Sequence, residues 1–486
     1  MIEPKTRISH VVDILGNVIG RDQPIMLMDK AIQLVSLLDV DIFESDKHVF
    51  FDPFCKAGEI LLSCAYIRCF RKACNKNGYF GLNEIKKELY ESNSYFALAP
   101  DERHHKLSLR TFLGNEHSHN EEFNHIIRDG QYLSEETGKL DKEKFRREFD
   151  GMIEYISEKA KDKKIIAVGN PPYQENDGGF GGSASSIYNY FVETIIDSSI
   201  VNESVVVIPS RWFTTGKGTS EFRKKILSSR KIKEIVHFPK SKSIFPTVDI
   251  LGGVCFLHYV DSHNKNVKFC DENVEVEIDL SDSDIILDDP RGYEIYRKIQ
   301  KKWIGLFVSD IAWSGKPFGL RTFYFSRNPN LGNLHIQAVP CFTKRRKIMY
   351  ANIDHVDRNR DKINEWKVAI PSAYAPGSKE GVRRVTLPVD QYFIIPQGHI
   401  STETYNIVGS FSNEMEAENY KHYLSKLLPR YLLGLRKVTQ HIPKDKWQWV
   451  PYLDPSKEWS DQEIYELFDI TLEEQEHIRK KVEEWS

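Results

Sequence analysis

The residues best suited to chemistry are Asn170, Pro171, Pro172 and Tyr173. They follow the apolar run of residues 165–168, whose length predicts a buried strand. Two consecutive prolines end that strand, because proline has no N–H with which to extend a ladder. The side chain of Asn170 is therefore expected on a stiff turn at the carboxyl end of a strand, where open α/β sheets bind their ligands.

This turn could activate an amino group that is conjugated to a ring. The nitrogen of such a group is a poor nucleophile, because its lone pair is delocalised. The side-chain oxygen of Asn170 and the carbonyl oxygen of Pro171 could each accept one of its hydrogens and direct the lone pair at an electrophile, while Tyr173 stacks on the ring. The alternative is a rigid turn with a surface tyrosine, since short motifs also occur without a function.

A second candidate for ligand binding lies at residues 48–62, which predict a strand, a tight turn and a helix. The small residues Ala57 and Gly58 would let the backbone approach a ligand, and the helix start near Glu59 would present free N–H groups. An ordinary strand-to-helix turn is equally compatible with this stretch.

Residues 78–84 predict a short second strand that ends in Asn83 and Glu84. In doubly wound nucleotide-binding folds, the second strand commonly ends in an acidic residue that accepts hydrogen bonds from ribose hydroxyls. Glu84 fits that role, with Asn83 as its neighbour. A surface glutamate at the start of the next helix is the alternative.

The elements that must position these residues alternate between strand and helix from residue 48 to residue 260. This order predicts an α/β fold with a mainly parallel, doubly wound sheet and an antiparallel strand pair at its end. The acidic stretch 271–289 indicates a boundary. Beyond it aromatic and basic residues interleave, as expected where a surface binds phosphates and stacks on bases, although a solvated charged face over core aromatics fits equally well.

Composition narrows the class of protein. A chain of 486 residues suggests about two to four domains. A formal charge of −3 means that any nucleic-acid contact must come from local patches. The apolar stretches are too short to span a membrane and the start lacks a signal-peptide pattern, so we expect a cytoplasmic protein with no membrane contact.

Cysteine and histidine usage gives no prediction of a metal site. The seven cysteines are an odd number and form no Cys-x-x-Cys pair, which argues against a disulfide framework and against a zinc ribbon. His117, His119 and His125 lie in a polar stretch that favours a solvated loop over a metal site.

Taken in order, the motifs resemble the gamma-class adenine-N6 DNA methyltransferases of bacterial restriction-modification systems, the Asn-Pro-Pro-Tyr family. The resemblance is greatest to the branch with an Asp-Pro-Phe-Cys-Lys cofactor loop, in which Lys56 stands in place of the first glycine. Gln23-Pro24 stands where the family usually shows Thr-Pro. The motifs are Asp-Pro-Phe-Cys-Lys-Ala-Gly (52–58), Gly-Asn-Pro-Pro-Tyr (169–173), Ile-Pro-Ser-Arg-Trp-Phe (208–213) and Ile-Phe-Pro-Thr-Val-Asp-Ile-Leu-Gly-Gly-Val-Cys (244–255), with further similarity at 435–440, 449–451 and 459–465.

The resemblance implies a Rossmann-like S-adenosylmethionine-dependent methyltransferase domain at 1–270, a mixed α+β DNA target-recognition domain at 291–455 and a helical tail at 456–486. It implies transfer of a methyl group from S-adenosylmethionine to a flipped adenine in double-stranded DNA. The setting would be a restriction-modification, phage or orphan system, with a separate restriction endonuclease as a candidate partner. No metal is implied.

The resemblance also assigns residues. Asn170, Pro171, Pro172 and Tyr173 would be catalytic, and Tyr173 and Phe245 would stack on the two faces of the target base. Asn115 and Glu116 are the candidates for holding the adenine of the cofactor. The cofactor-binding set is Pro24, Asp52, Pro53, Phe54, Ala57, Gly58, Asn83 and Glu84, and the DNA-binding set is Arg211, Lys217, Arg321, Lys344, Arg345, Arg346 and Lys437.

Two other functions stay open. A catalytically inactive DNA-binding subunit could retain this fold, because Gln23 and Lys56 both depart from the commonest cofactor-site pattern. The Asn-Pro-Pro-Tyr turn also serves enzymes that methylate the side-chain amide of glutamine in proteins. Those enzymes are shorter, which would leave the large carboxy-terminal half of this chain without a role.

Overall fold

The protein forms two compact units, Met1–Asp288 and Asp289–Ser486. Several residues named above lie outside the described residues: Pro24, Lys217, the candidates Asn115 and Glu116, the three polar-stretch histidines and the glycine-rich stretch 177–182. The computed structural model describes residues 25–75, 78, 80–113, 126–134, 139–175, 186–214, 218–246, 248, 250, 252–271, 274–280, 283–287, 289–313, 315–328, 338–374, 386–437 and 440–485.

The first unit is built on one sheet, in which nine strands pair within the described residues. Its strands are β1 (His48–Asp52), β2 (Tyr95–Ala99), β3 (Ile127–Asp129), β4 (Lys164–Gly169), β5 (Val201–Pro209), β6 (Ile232–Phe238), β7 (Val254–Val260), β8 (Val267–Cys270) and β9 (Glu275–Ile278). The order across the sheet is β3-β2-β1-β4-β5-β7-β6-β8-β9. Strands β3, β2, β1, β4 and β5 run parallel, whereas β7 is antiparallel to both of its neighbours.

Helices pack against this sheet, and this packing explains why its central strands are apolar. A parallel sheet covered on both faces needs continuous apolar strands, and β2 is buried along its whole length. The doubly wound α/β sheet with an antiparallel pair near its end, predicted from the sequence, is confirmed. The helices of this unit are α1 (Met28–Val35), α2 (Val40–Glu44), α3 (Glu59–Asn75), α4 (Leu82–Glu91), α5 (Glu102–Leu113), α6 (Lys142–Lys159), α7 (Tyr188–Ile196) and α8 (Ser220–Ser229).

The second strand of the sheet is not where the sequence predicts it. Residues 78–84 form no strand in the part that is described; Leu82 instead begins α4, and the second strand is β2 at Tyr95–Ala99. The segment forms a helix rather than a strand because its buried residues, Ile85 and Leu89, are one helical turn apart. The carboxylate of Glu84 accepts a hydrogen bond from the backbone N–H of Gly81 (2.7 Å), which caps the start of α4.

The second unit combines small sheets with helices, so the mixed α+β composition predicted for it is confirmed. Its strands, β10 (Ala338–Phe342), β11 (Ile348–Asn352), β12 (Trp366–Pro371), β13 (Phe393–Ile395), β14 (Ile400–Ser401) and β15 (Tyr405–Phe411), form two three-stranded sheets in the described residues, ordered β11-β10-β14 and β13-β12-β15. Its helices are α9 (Arg291–Lys302), α10 (Val308–Ile311), α11 (Tyr324–Arg327), α12 (Glu414–Leu424), α13 (Leu427–Arg436), α14 (Asp461–Leu467) and α15 (Leu472–Glu484).

The carboxy-terminal residues are part of the second unit. Trp485, which follows α15, stacks on Tyr431 of α13 with ring centroids 5.5 Å apart. Asp289 accepts hydrogen bonds from the hydroxyl of Tyr431 (2.7 Å) and from Nε2 of His477 (2.8 Å), which ties α13 and α15 to the start of the unit. Among the helices that the structure describes, none is long and apolar enough to cross a membrane.

Candidate active site

The carboxyl ends of four adjacent parallel strands bring the polar residues together. Asp52 ends β1, Gly169 ends β4 and Asp129 ends β3, while Asp101 follows β2 after one further residue. Because these strands are parallel and neighbours in the order β3-β2-β1-β4, their carboxyl ends share one edge of the sheet. Asn170 follows Gly169 directly, so the candidate catalytic turn lies at this same edge.

Gly169 brings the Asn-Pro-Pro-Tyr turn close to the candidate cofactor loop, residues 52–58. A Cβ on Gly169 would stand 2.7 Å from Cδ2 of Phe54 and 2.9 Å from Oδ1 of Asp52. The same Oδ1 accepts a hydrogen bond from the backbone N–H of Phe54 (2.9 Å). Only glycine fits at this position without displacing its neighbours, so the two segments pack at van der Waals distance.

Several contacts hold the cofactor loop in one conformation. The hydroxyl of Tyr132 donates to the carbonyl of Pro53 (2.8 Å), and the N–H of Cys55 donates to the carbonyl of Leu98 (3.1 Å). Gly58 adopts a φ of +80°, which a residue with a side chain rarely does, and a Cβ there would stand 2.7 Å from Phe112. Residues 52–60 are all buried, so their packing restricts the conformations of the loop.

Burial shifts the pKa values of the ionisable side chains in this loop. Burial raises the pKa of Asp52 well above its ordinary value and raises the pKa of Glu59, whose Oε1 also accepts from the backbone N–H of Met26 (3.1 Å). Burial lowers the pKa of Lys56 to about 8. All three shifts have the same physical cause, because a low-dielectric surrounding disfavours the charged form of each group.

The Asn-Pro-Pro-Tyr turn continues into an aromatic cluster. The carbonyl of Tyr173 accepts from the backbone N–H of Ile187 (3.1 Å), and its ring is buried against Tyr188 and Phe245. Tyr173 and Phe245, the two residues assigned to base stacking, are thus brought together. Their centroids are 6.2 Å apart with an interplanar angle of 74°, an edge-to-face contact. A base could lie between them only after the two rings move apart.

The structure does not bring Asn83 and Glu84 to this edge of the sheet, and their assignment to the cofactor stays a prediction. The carbonyl of Glu84 accepts from Sγ of Cys69 (3.7 Å), which lies ten residues beyond Glu59, where α3 begins. At 1.5 Å per residue this is about 15 Å along α3 from the loop. The carboxylate of Glu84 instead accepts a hydrogen bond at the start of its own helix, α4.

Asp101 and Asp129 occupy the strand ends that the sequence interpretation missed. Asp101 is buried and accepts from the backbone N–H (2.9 Å) and Nδ1 (2.7 Å) of His104. Burial acts to raise the pKa of Asp101, but these hydrogen bonds outweigh it and the pKa lies below its ordinary value. Oδ1 of Asp129 is buried without a hydrogen-bond partner among the described residues, while Oδ2 accepts from Gln131 (3.0 Å).

A signal for both acids is present in the sequence. Tyr95–Ala99 is a run of five apolar residues that is followed by Pro100 and Asp101, and the three-residue strand Ile127–Asp129 is followed by Gly130. Both strands are short, and a short apolar run such as Tyr95–Ala99 is ambiguous between strand and helix.

The candidate DNA-binding residues fall into two groups. Arg211 in the first unit and Arg321, Lys344, Arg345 and Arg346 in the second are exposed. The last three form the turn between β10 and β11, where Arg345 and Arg346 both have positive φ.

Lys437 differs from these residues because it is buried, and its assignment to DNA stays a prediction. It is 3% exposed, and its Nζ donates to the carbonyl of Tyr374 (3.0 Å). Burial lowers the pKa of Lys437 to about 8. An ammonium group inside the second unit does not contact phosphate in this conformation.

Part of the chain is similar to a known protein family. Residues 69–245 match the model of the Eco57I restriction-modification methylase family. An uncharacterized adenine-specific methylase of Mycoplasma pneumoniae (strain ATCC 29342 / M129 / Subtype 1) is 32% identical over 123 residues, which are 24% of this chain and 29% of that protein. The chain thus matches less than a third of the length of that relative.

Solved structures give weak overall similarity. The type IIG restriction endonuclease BpuSI is 11% identical with a TM-score of 0.41, over 97% of this chain and 63% of that one. The M protein of the type I restriction enzyme EcoKI is 12% identical with a TM-score of 0.31, over 50% of this chain and 48% of that one.

Proposed function

We propose that the protein is a sequence-specific DNA methyltransferase that transfers a methyl group from S-adenosylmethionine to N6 of an adenine turned out of duplex DNA. The observation that carries the proposal is the contact at Gly169, which packs the Asn-Pro-Pro-Tyr turn against Asp52 and Phe54 of the cofactor loop. The match of residues 69–245 to a restriction-modification methylase family supports the same reaction.

The strand-end edge fits this cofactor. At this edge Oδ1 of Asp129 is buried without a partner in the described part of the chain, which leaves an acceptor for a ligand. When bound, S-adenosylmethionine supplies a methyl group on a positively charged sulfur. Residues 52–58 would line its methionine end. Asp101 would accept from the ribose hydroxyls in place of Glu84, and Asp129 would accept from the adenine amino group.

The turn would bind and orient the acceptor. The side-chain oxygen of Asn170 and the carbonyl of Pro171 would accept the two hydrogens of the adenine amino group, and Pro172 would keep the turn rigid. Tyr173 and Phe245 would stack on the two faces of the base once their edge-to-face contact opens. Unstacking a base costs a few kcal/mol, which these contacts would offset.

The second unit would deliver the DNA. The basic turn at Lys344–Arg346 and Arg321 beside Phe323 combine phosphate-binding and stacking groups on an exposed surface. Residues 1–270 would then be catalytic, 291–455 would recognise the target sequence and 456–486 would complete the second unit. In a restriction-modification system the proposed partner is a separate endonuclease, and the site of action is the cytoplasm.

Replacing Asn170 with alanine tests the proposal. We expect Asn170→Ala to lose methyl transfer from labelled S-adenosylmethionine to duplex DNA while calorimetry shows unchanged cofactor affinity, because the amide contacts the acceptor only. Asn266→Ala, at an exposed position of the same unit, is the control and should keep full activity. Equal activity of Asn170→Ala and the parent protein would overturn the assignment.

Two further outcomes separate the other functions. Turnover that needs a glutamine-containing protein and no DNA would indicate a protein methyltransferase. Calorimetry that shows no binding of S-adenosylmethionine to the parent protein would indicate a non-catalytic DNA-binding subunit.

A further inference from the structure

The hairpin formed by β10 and β11 differs from the chain as a whole in its charge. Residues 338–352 contain four cationic side chains and no carboxylate, although the whole chain has a formal charge of −3. All four cations are exposed and lie in the turn between the two strands: Lys344, Arg345, Arg346 and Lys347. The turn therefore presents a concentrated positive charge, which fits an anionic partner.

The backbone of this turn is strained at two of its cations. Arg345 has a φ of +60° and Arg346 has a φ of +58°. The N–H of Lys347 donates to the carbonyl of Lys344 (3.5 Å), so the two arginines are the central residues of the turn. Turns with a positive φ at both central residues strongly favour Asn-Gly, because most side chains are disfavoured there. Two arginines at these positions lower the stability of the fold, which indicates that their side chains serve a function.

Arg346 fixes the turn to the neighbouring sheet. Its backbone N–H donates to the hydroxyl of Tyr405 in β15 (2.7 Å). Its guanidinium lies over the ring of Phe393 in β13, 4.6 Å from the ring centroid. The other three cations of the turn are therefore presented from an anchored backbone.

The outward face of the hairpin is apolar and aromatic. The strands are antiparallel, with Phe342 opposite Ile348 and Pro340 opposite Tyr350. Because successive side chains of a strand point to opposite faces, these four residues share one face. The other face packs into the core of the second unit through the buried residues Val339, Cys341 and Ala351. On the shared face Ile348 is 45% exposed and Tyr350 is 60% exposed, so an apolar strip lies directly beside the cationic turn.

The shape of this element fits duplex DNA. The major groove of B-DNA is about 12 Å wide and admits a two-stranded β-ribbon, whereas the minor groove is only about 6 Å wide. The methyl group of thymine lies in the major groove and is contacted by apolar side chains. A ribbon with cations at its turn and an apolar outward face can therefore bind phosphates and base edges at once.

We propose that the β10–β11 hairpin is the element of the second unit that reads the DNA sequence, with Ile348 and Tyr350 as specificity-determining residues in the major groove. Lys344, Arg345 and Lys347 contact the phosphates beside the groove. This inference rests on the proposed function and deepens it, because phosphate contacts position a protein on DNA but carry no sequence information. The outward side chains of β11 supply the part of binding that depends on sequence.

The experiment first needs the recognised sequence. Sequencing of genomic DNA with detection of modified bases, from a strain that expresses the full chain, identifies the methylated site. Fluorescence anisotropy then compares a duplex that contains this site with a duplex in which the site is scrambled. The ratio of the two affinities measures specificity, and the slope of log affinity against log salt measures the phosphate contacts.

Ile348→Ser and Tyr350→Ser should each reduce specificity. We expect affinity for the recognised duplex to fall about tenfold, as for the loss of a base contact, while affinity for the scrambled duplex and the salt slope stay the same. Met415→Ser, at a 63% exposed position of α12, is the control and should bind as the parent protein does. If Ile348→Ser and Tyr350→Ser both kept full specificity, the inference would be overturned, and β11, an edge strand among the described residues, would be available to a protein partner.

Arg345→Asn should give the opposite pattern. It should weaken binding to both duplexes equally and reduce the salt slope by about one, because one phosphate contact is lost. Asparagine tolerates a positive φ better than arginine does, so the midpoint of urea unfolding should rise. Because the variant is more stable, weaker binding cannot result from unfolding. Binding and slope equal to those of the parent protein would show that the strained turn does not contact phosphate and would overturn the inference.

Arg230→Asn is the matched control for this substitution. Arg230 is also an exposed arginine with a positive φ, +57°, and follows the end of α8. Strand β6, which begins at Ile232, runs parallel to β4, so Arg230 lies at the edge of the sheet opposite to Gly169. Arg230→Asn should raise the midpoint of urea unfolding in the same way and leave DNA binding unchanged.

Chemical protection distinguishes the two grooves. Dimethyl sulfate methylates N7 of guanine in the major groove and N3 of adenine in the minor groove. We expect the parent protein to protect guanine N7 within and beside the recognised site, and Tyr350→Ser to lose part of this protection. Protection confined to adenine N3 would overturn the assignment to the major groove. If the parent protein methylates no DNA, the proposed function fails; if it methylates one sequence and the hairpin variants do so equally well, only the inference on the hairpin fails.

Discussion

Gly169 and Asp52 are packed so closely across strands β4 and β1 that a Cβ on Gly169 would stand 2.9 Å from Oδ1 of the aspartate. The two strands are parallel neighbours in the sheet, so the position of the Asn-Pro-Pro-Tyr turn is coupled to that of residues 52–58. An error of 1 Å in placing two reacting groups can cost about a hundredfold in rate. The missing side chain of Gly169 is thus part of the geometry of the site.

Gly169→Ala should therefore damage both stability and cofactor binding. The added methyl group must displace Phe54 or Asp52, and overpacking of this kind lowers the free energy of unfolding by about 1–3 kcal/mol. Urea unfolding and calorimetry with S-adenosylmethionine measure the two effects. Gly315→Ala is the control, because a Cβ there meets nothing within 4 Å. Unchanged cofactor affinity in Gly169→Ala would contradict the proposed coupling.

Asp101 and Asp129 should determine cofactor affinity, and Glu84 should not. Loss of a hydrogen bond to a charged group costs about 1.5–3 kcal/mol, so Asp101→Asn and Asp129→Asn should weaken S-adenosylmethionine binding about tenfold to a hundredfold. Glu84→Gln should leave the affinity unchanged, since that carboxylate caps α4. Thermal unfolding is measured alongside, because Asp101→Asn also disturbs His104. If Glu84→Gln bound S-adenosylmethionine as weakly as Asp129→Asn does, Glu84 rather than Asp101 would be assigned to the ribose.

Arg345 and Lys437 should differ in their effect on DNA binding. Each phosphate contact that is lost reduces the slope of log affinity against log salt by about one. Arg345→Ala should lower both the affinity for DNA and the salt-dependence slope. Arginine and alanine are equally disfavoured at the backbone φ of +60°, so the substitution should not change the backbone strain. Lys437→Met should leave the slope unchanged, because its ammonium donates to Tyr374 inside the unit. Fluorescence anisotropy over a salt series distinguishes the two; equal slopes for Arg345→Ala and the parent protein would remove Arg345 from the interface.

Asp289 should make the stability of the second unit depend on pH. Burial acts to raise its pKa, but hydrogen bonds from His477 and Tyr431 outweigh burial and hold that pKa below the ordinary value of 3.8. A depressed pKa in the folded state stabilises the protein above the unfolded pKa, and the contribution disappears as the pH falls through the folded value.

Asp289→Asn should therefore lower the free energy of unfolding by about 1–3 kcal/mol at pH 7. The difference in free energy of unfolding between Asp289→Asn and the parent protein should become smaller as the pH falls below about 4. Urea unfolding at several pH values measures it, with the exposed Asp445→Asn as the control. A gap that stays constant with pH would show that the carboxylate charge does not contribute.

The sequence by itself determined the features that depend on neighbouring residues. Two prolines after an apolar run predict where β4 ends, and a small-residue turn before Glu59 predicts the start of α3. The alternation of strand and helix predicts a doubly wound sheet. Each of these features follows from backbone sterics and hydrogen bonding within a few residues, so a single sequence is sufficient to infer them.

Only the tertiary structure decided which strand is second and which side chains face the site. Burial and strand pairing depend on residues distant in the chain, and a five-residue apolar run such as Tyr95–Ala99 does not reveal its partners. The same reason explains Glu84, which caps a helix, and Lys437, which is buried although it is a lysine. The placing of Lys56 over Tyr173 joins two motifs more than a hundred residues apart, and no local pattern contains it.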